Sequence, residues 1–212
     1  GGSLFFDVKR VTAAVSIHNS LFRRNHAIGG SGGAITIDGT DLNLVSTIFE
    51  SNNASIVTRN FNSSQSSFQT NSNSNSSRLR SIFVDKSGNG GAICILASSI
   101  GSVVTIQASI IRLNHADGLG GGIYVTESKF VVNLVDSSLF MMDSNTAKMG
   151  GQIYSETCEL EWLNQGSRNT GIAANLLNGK ASSFGGGIAC IGSTMNVQRT
   201  VLAQNKATDG GG

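Results

Sequence analysis

The sequence predicts an all-β fold, a parallel β-solenoid of about six coils of roughly 30 residues each, and three observations predict it. The composition is hostile to helices: Gly 27, Ser 30 and Asn 20 fill more than a third of the 212 residues, and these types favour turns over helix interiors. A Gly-Gly doublet followed by an aliphatic residue recurs along the whole chain. The segments after the doublets alternate apolar and polar, as strands with one buried face do.

The doublets stand at Gly1-Gly2-Ser3-Leu4, Gly32-Gly33-Ala34-Ile35, Gly90-Gly91-Ala92-Ile93, Gly120-Gly121-Gly122-Ile123, Gly150-Gly151-Gln152-Ile153 and Gly185-Gly186-Gly187-Ile188. Steps between the aliphatic residues are 31, 58, 30, 30 and 35, so one interval carries an insertion. Glycine suits these places because it allows positive φ at a tight bend. A second signature puts an apolar residue three before an asparagine: Phe22 and Asn25, Phe49 and Asn52, Ile111 and Asn114, Met142 and Asn145, Leu202 and Asn205. In the remaining interval both Asn175 and Asn178 are candidates for that asparagine. Asparagine tolerates the left-handed angles of a corner, and stacked amides can hydrogen-bond from coil to coil.

Aligned at the doublets, the strands give two inward columns, Leu4, Ile35, Ile93, Ile123, Ile153, Ile188 and Phe6, Ile37, Ile95, Val125, Ser155, Cys190. Between them runs an outward column of Phe5, Thr36, Cys94, Tyr124, Tyr154 and Ala189. A second strand leading to the asparagine shows apolar pairs at Ile17 and Leu21, Leu44 and Ile48, Ile106 and Ile110, Val197 and Val201. A unit this short cannot bury its apolar face alone, whereas stacked units bury a continuous core. The absence of proline agrees, since a strand paired on both sides uses every N–H.

The pairing of Phe-x-x-Asn, at Phe22 to Asn25 and Phe49 to Asn52, with Gly-Gly-Ala-Ile, at residues 32 to 35 and 90 to 93, resembles the repeats of the chlamydial polymorphic outer membrane proteins and related microbial surface proteins. That resemblance implies a right-handed parallel β-helix on a cell surface, often an adhesin or autotransporter passenger. Residues 1–212 are expected to form a single such domain, and, because Gly1-Gly2 and Gly210-Gly211 fall at the same phase of the repeat, a fragment of a longer array that would aggregate or associate end to end if expressed alone. Residues 55–89 are expected to form a low-complexity Asn- and Ser-rich loop insertion. Three N-glycosylation sequons fall at or in it, at Asn53, Asn62 and Asn75, relevant if the chain follows a eukaryotic secretory route.

Several functions are disfavoured. Lys and Arg are scattered singly at a net charge of +2, which gives no basic stripe for nucleic acid. No run reaches the roughly 18 apolar residues of a membrane span, so no direct membrane insertion is expected within the segment. Glycoside hydrolysis needs two facing carboxylates, and no column of acids provides them. Asp38 and Asp41, beside Gly39-Thr40, read as a solvated turn, and neither a metal nor a cofactor is expected. His26 and His115 share one repeat position two coils apart, about 10 Å, too far for one ion; with His18 they read as structural. Cys94 should face outward and Cys190 inward, with Cys158 further along its coil, so no pair of the three is expected to bond.

The expected role is that of an extracellular structural or adhesive module, a rigid rod binding through its lateral surface and not an enzyme. Its partners would be sibling subunits, surface or matrix components, or glycans. Tyr124 and Tyr154 could supply a lateral contact strip or partial cover beneath corner loops. The alternative is a carbohydrate-active enzyme or carbohydrate-binding β-helix of pectate-lyase-like fold, carried by fold analogy alone.

Overall fold

The computed structural model describes residues 2–7, 14–57, 88–96, 103–134, 139–164 and 174–210. These form a right-handed parallel β-helix of about six coils, with four parallel sheets running along its length. Each coil visits the sheets in the same order. Sheet A holds Leu4–Asp7, Ile35–Asp38, Ile93–Leu96, Ile123–Thr126, Ile153–Glu156 and Ile188–Ile191. Sheet B holds Ala14–His18, Asp41–Val45, Val103–Gln107, Lys129–Leu134, Glu159–Asn164 and Thr194–Asn196. Sheet C holds Leu21–Arg23, Ile48–Glu50, Ile110–Arg112, Phe140–Asp143, Ala174–Leu177 and Thr200–Ala203. The short sheet D holds His26–Ile28, Asn53–Ser55, His115–Ala116, Thr146–Ala147 and Lys180–Ala181.

The register matches the repeat phase. Leu4, Ile35, Ile93, Ile123, Ile153 and Ile188 are successive strand partners, as are Phe6, Ile37, Ile95, Val125, Ser155 and Cys190. In the middle coils these residues are fully buried and join one core with Leu44, Phe49, Ile106, Phe130 and Trp162. Stacking places like on like: the Phe22 and Phe49 rings lie 5.0 Å apart and nearly parallel. Cys190 occupies the inward column and is nevertheless exposed, because no described strand lies beyond its own.

The expected second strand is two strands. Between sheets B and C the chain turns at Asn19, Ser46, Ala108 and Arg199, each left-handed with φ between 49° and 52°. That corner resets the alternation, so Leu21 is exposed and Phe22 turns inward instead. The residue after each of these turns carries a hydroxyl, and Ser20, Thr47, Ser109 and Thr200 each donate to the carbonyl two positions back. The corner between sheets A and B repeats the device, with Ser128 and Ser193 donating to Thr126 and Ile191. A left-handed residue costs about 1 kcal/mol without glycine, and the adjoining hydrogen bond offsets a similar amount.

At the corner between sheets C and D the left-handed residue precedes the asparagine: Arg24, Ser51, Leu113, Ser144, Asn178 and Gln204 have φ of 54–57°. The asparagine itself is freed to point inward. At the fourth corner the first glycine of the doublet takes the positive φ, at Gly32, Gly90, Gly120, Gly150 and Gly185, and the second glycine is needed for room. A Cβ on Gly33, Gly91, Gly121 or Gly151 would lie 2.0–2.3 Å from a carbonyl oxygen of the next coil.

Candidate functional site

The inward asparagines form a buried ladder. The backbone N–H and Nδ2 of Asn25 donate to Asn52 Oδ1 at 3.0 and 2.8 Å. Asn52 donates in the same two ways to Asn114 Oδ1 at 2.9 and 3.0 Å, and Asn114 to Asn145 Oδ1 at 2.9 Å by both routes. Each Nδ2 also reaches back to the preceding coil, Asn52 to the Phe22 carbonyl and Asn114 to that of Phe49.

In the fifth coil neither Asn175 nor Asn178 takes the rung. The position is Gly179, in Leu176-Leu177-Asn178-Gly179, and Asn175 lies one residue before inward-facing Leu176. The missing amide comes from Gln152, which stands where other repeats carry Ala34, Ala92, Gly122 or Gly187. Gln152 Oε1 accepts from Asn145 Nδ2, and its Nε2 donates to the Leu177 carbonyl. The ladder then resumes, with the Gly179 N–H donating to Asn205 Oδ1 at 2.8 Å. With the interior so filled, any contact with a ligand has to use an outer face.

The outer face of sheet A is closed. Tyr124 and Tyr154 are only 3% and 4% exposed, and they pack in a second apolar cluster with Cys94 and Ala189 under Leu96, Leu119 and Met149. This corrects the expectation of a lateral contact strip: the rings face away from the main core, yet the corner loops seal them. Their rings stack at 5.6 Å, and burial pushes both phenol pKa values up. Thr36 and Cys94, expected outward, are buried by the same loops.

Sheets B and C carry charges that pair with one another along the stack. On sheet C, Glu50 accepts from Arg23 Nε at 2.5 Å and Arg112 Nη2 at 2.7 Å. The Arg23 hydrogen bond, ahead of the other arginine, holds the Glu50 carboxyl below its ordinary pKa against the opposing effect of desolvation. On sheet B, Lys129 reaches Glu161 at 2.9 Å and Glu159 at 3.2 Å, which raises the ammonium pKa. Asp38 and Asp41 flank left-handed Gly39 at a corner, where Asp41 Oδ1 accepts from the Val103 N–H.

Sheet D also presents a varied outer face. Its outward positions begin at the residue after each ladder rung: His26, Asn53, His115, Thr146, Lys180 and, by a bridge to Lys180, Lys206. Two residues on, past a small inward alanine, come Ile28, Ser55, Asp117, Lys148, Ser182 and Thr208. A concavity of about 510 Å³ lies over coils three to five, lined by His115, Asp117, Thr146, Lys148, Lys180 and Ser182. His115 has both ring nitrogens engaged, Nδ1 with Thr146 Oγ1 at 2.7 Å and Nε2 with Asp117 Oδ1 at 3.0 Å. The other Asp117 oxygen accepts from the Ile56 N–H.

Of the three sequons, Asn62 and Asn75 lie outside the described residues. Asn53 sits half-buried on the outer face of sheet D, in a strand paired on both sides, and its Oδ1 is buried without a hydrogen-bond partner. His26 bonds Ser55 Oγ at 2.8 Å. All three cysteines are free thiols; Cys158 takes a corner hydroxyl's place, its thiol bonding the Glu156 carbonyl, and burial raises its pKa. Among the described residues no group of three His, Cys, Asp or Glu side chains gathers as metal ligands would.

The sequence shows that His26 and His115 share one repeat position, but the outer face they belong to emerges only in the structure. The signal was the variable residue between the recurrent asparagine and alanine. No family model, no curated protein and no solved structure matches the chain.

Proposed function

We propose that the chain is a structural or adhesive repeat module, a rigid rod carried on the outside of a cell or appendage that makes its contacts through a lateral face. One observation carries the reading: the inward columns repeat from coil to coil and are sealed, while the outer faces vary, and on sheet D, unlike sheets B and C, the stacked lysines meet no acid among the described residues. A site for chemistry would instead gather a few groups around one point. The concavity on sheet D holds a single carboxylate, Asp117, already engaged by His115 and a backbone N–H, where a glycosidase needs two. The extracellular placement and the adhesive use are supported by the resemblance of the repeats, and the partners are surface or matrix components or sibling subunits.

Beads coated with the chain should attach to cells or matrix, and charge-altering substitutions on the outer face of sheet D should weaken the attachment more than the same changes on sheets B or C. Equal attachment by all variants would defeat the reading. Turnover of a polysaccharide that disappears in Asp117→Asn would replace it with the carbohydrate-active alternative.

A further inference from the structure

We infer that the outer face of sheet D binds an acidic polysaccharide through Lys148, Lys180 and Lys206, an inference that rests on reading the chain as a lateral-contact module. Lys180 and Lys206 are bridge partners on successive coils, so their Cα atoms are about 4.8 Å apart. Lys148 lies two residues beyond Thr146, the strand partner of Lys180, which places it about 8 Å from Lys180. All three side chains are exposed.

Elsewhere on the outer faces the stacked cations find acids within the stack: Arg23 and Arg112 share Glu50, and Lys129 holds Glu159 and Glu161. The three lysines of sheet D have no such partner among the described residues. Two carboxylates are nearby. Asp117 is taken by His115 and the Ile56 N–H, and Asp209 sits beyond Thr208 at the next corner, as the bridge partner of Phe184. Stacking ammonium groups at strand spacing without a counter-charge is unfavourable for the free protein, and an anion laid along the stack relieves it.

The neighbouring groups favour a sugar polymer. Thr146, Ser182 and Thr208 interleave hydroxyls with the ammonium groups, so each coil offers both a charge and a hydrogen-bonding group. Ammonium groups act as point charges that meet sulfate or carboxylate without the planar fork of arginine. Nucleic acid is the poorer fit, because no Phe, Tyr or Trp lines the concavity to stack on bases.

The test is binding of the whole chain to immobilised heparin, polygalacturonate, neutral dextran and single-stranded DNA over a series of salt concentrations. Salt-sensitive binding to heparin or polygalacturonate is expected, with dextran and DNA weak. The triple variant Lys148→Gln, Lys180→Gln, Lys206→Gln should lose roughly tenfold or more in affinity and Lys180→Gln alone a part of that, while Arg24→Gln, which also removes one charge but outside sheet D, should leave it unchanged. Matching unfolding midpoints certify that the variants are folded.

Unaltered polysaccharide binding by the triple variant overturns the inference, as does DNA binding as tight as that of the sugars. If the chain binds neither acidic polymer but still attaches to cells through sheet D, the inference fails and the adhesive reading stands. If attachment is absent as well, both fail.

Discussion

Two columns of polar residues run side by side in this molecule, one residue apart in sequence. Asn25, Asn52, Asn114, Asn145 and Asn205 point inward; His26, Asn53, His115, Thr146 and Lys206, which follow them, point outward on sheet D. The inner column is nearly constant and the outer one is not. Burial explains the difference, because an amide withdrawn from water must find partners and only another amide at the same height supplies them. Where the asparagine is lost, at Gly179, a glutamine from elsewhere in the coil restores the bonds. No such compensation is required one residue later, where water or a ligand can satisfy whatever side chain is present. Constancy here marks structure, and variation marks the face available for binding.

The most severe break of that contrast is Asn114→Leu. It removes the acceptor for two donors of Asn52 and leaves the Phe49 carbonyl without its side-chain donor, so a loss of about 3–5 kcal/mol is expected in denaturant unfolding. A loss below about 1 kcal/mol would show that the ladder is not a stability element. Gln152→Ala should cost about 2 kcal/mol, and its effect should be non-additive with Asn145→Ala because the two residues share a hydrogen bond. Additive losses would mean that Gln152 does not stand in for the missing rung.

The sealed outer face of sheet A is an intermediate case and gives a pH test. Burial raises the Tyr124 pKa above its ordinary value near 10.0, so the fold favours the neutral phenol. Its contribution is full below that value and drains away as the pH climbs past it. Unfolding midpoints should therefore fall more steeply above about pH 10 in the native chain than in Tyr124→Phe, and parallel curves would place the phenol in water. The smallest effect belongs to sheet D: Thr146→Ala or Lys180→Ala should change stability by no more than about 0.5 kcal/mol. A larger loss would make these residues structural and weaken the argument for a binding face.

The coil count, the inward columns of sheet A and the asparagine ladder were legible because each repeats at a fixed phase, and repetition survives without knowledge of the fold. The two hydroxyl corners were not read. Their serines and threonines vary in identity, and the left-handed residues before them, such as Ala108 and Glu127, carry no turn signature of their own. That is why one long strand was expected where sheets B and C meet. The tyrosines stayed open between a contact strip and cover for a different reason: alternation tells which side of a strand a residue is on, and only the path of the corner loops tells whether that side is wet. Gln152 resembles a degenerate glycine or alanine position, since nothing local announces that an amide is needed further along the same coil, at Gly179.

The asparagine ladder also has a direction. Asn25, Asn52 and Asn114 each offer N–H and Nδ2 to the side-chain oxygen of the coil that follows, and what reaches back from Asn52 and Asn114 goes to a backbone carbonyl and not to a rung. A coil that has just formed therefore displays two donors that only its successor can quench, and a nascent chain leaving the ribosome amino end first delivers that successor next. Growth is templated in one sense along the axis, as a crystal face accepts the next layer. A stalled intermediate would carry its vacancy at the advancing tip, where the succeeding segment arrives to fill it.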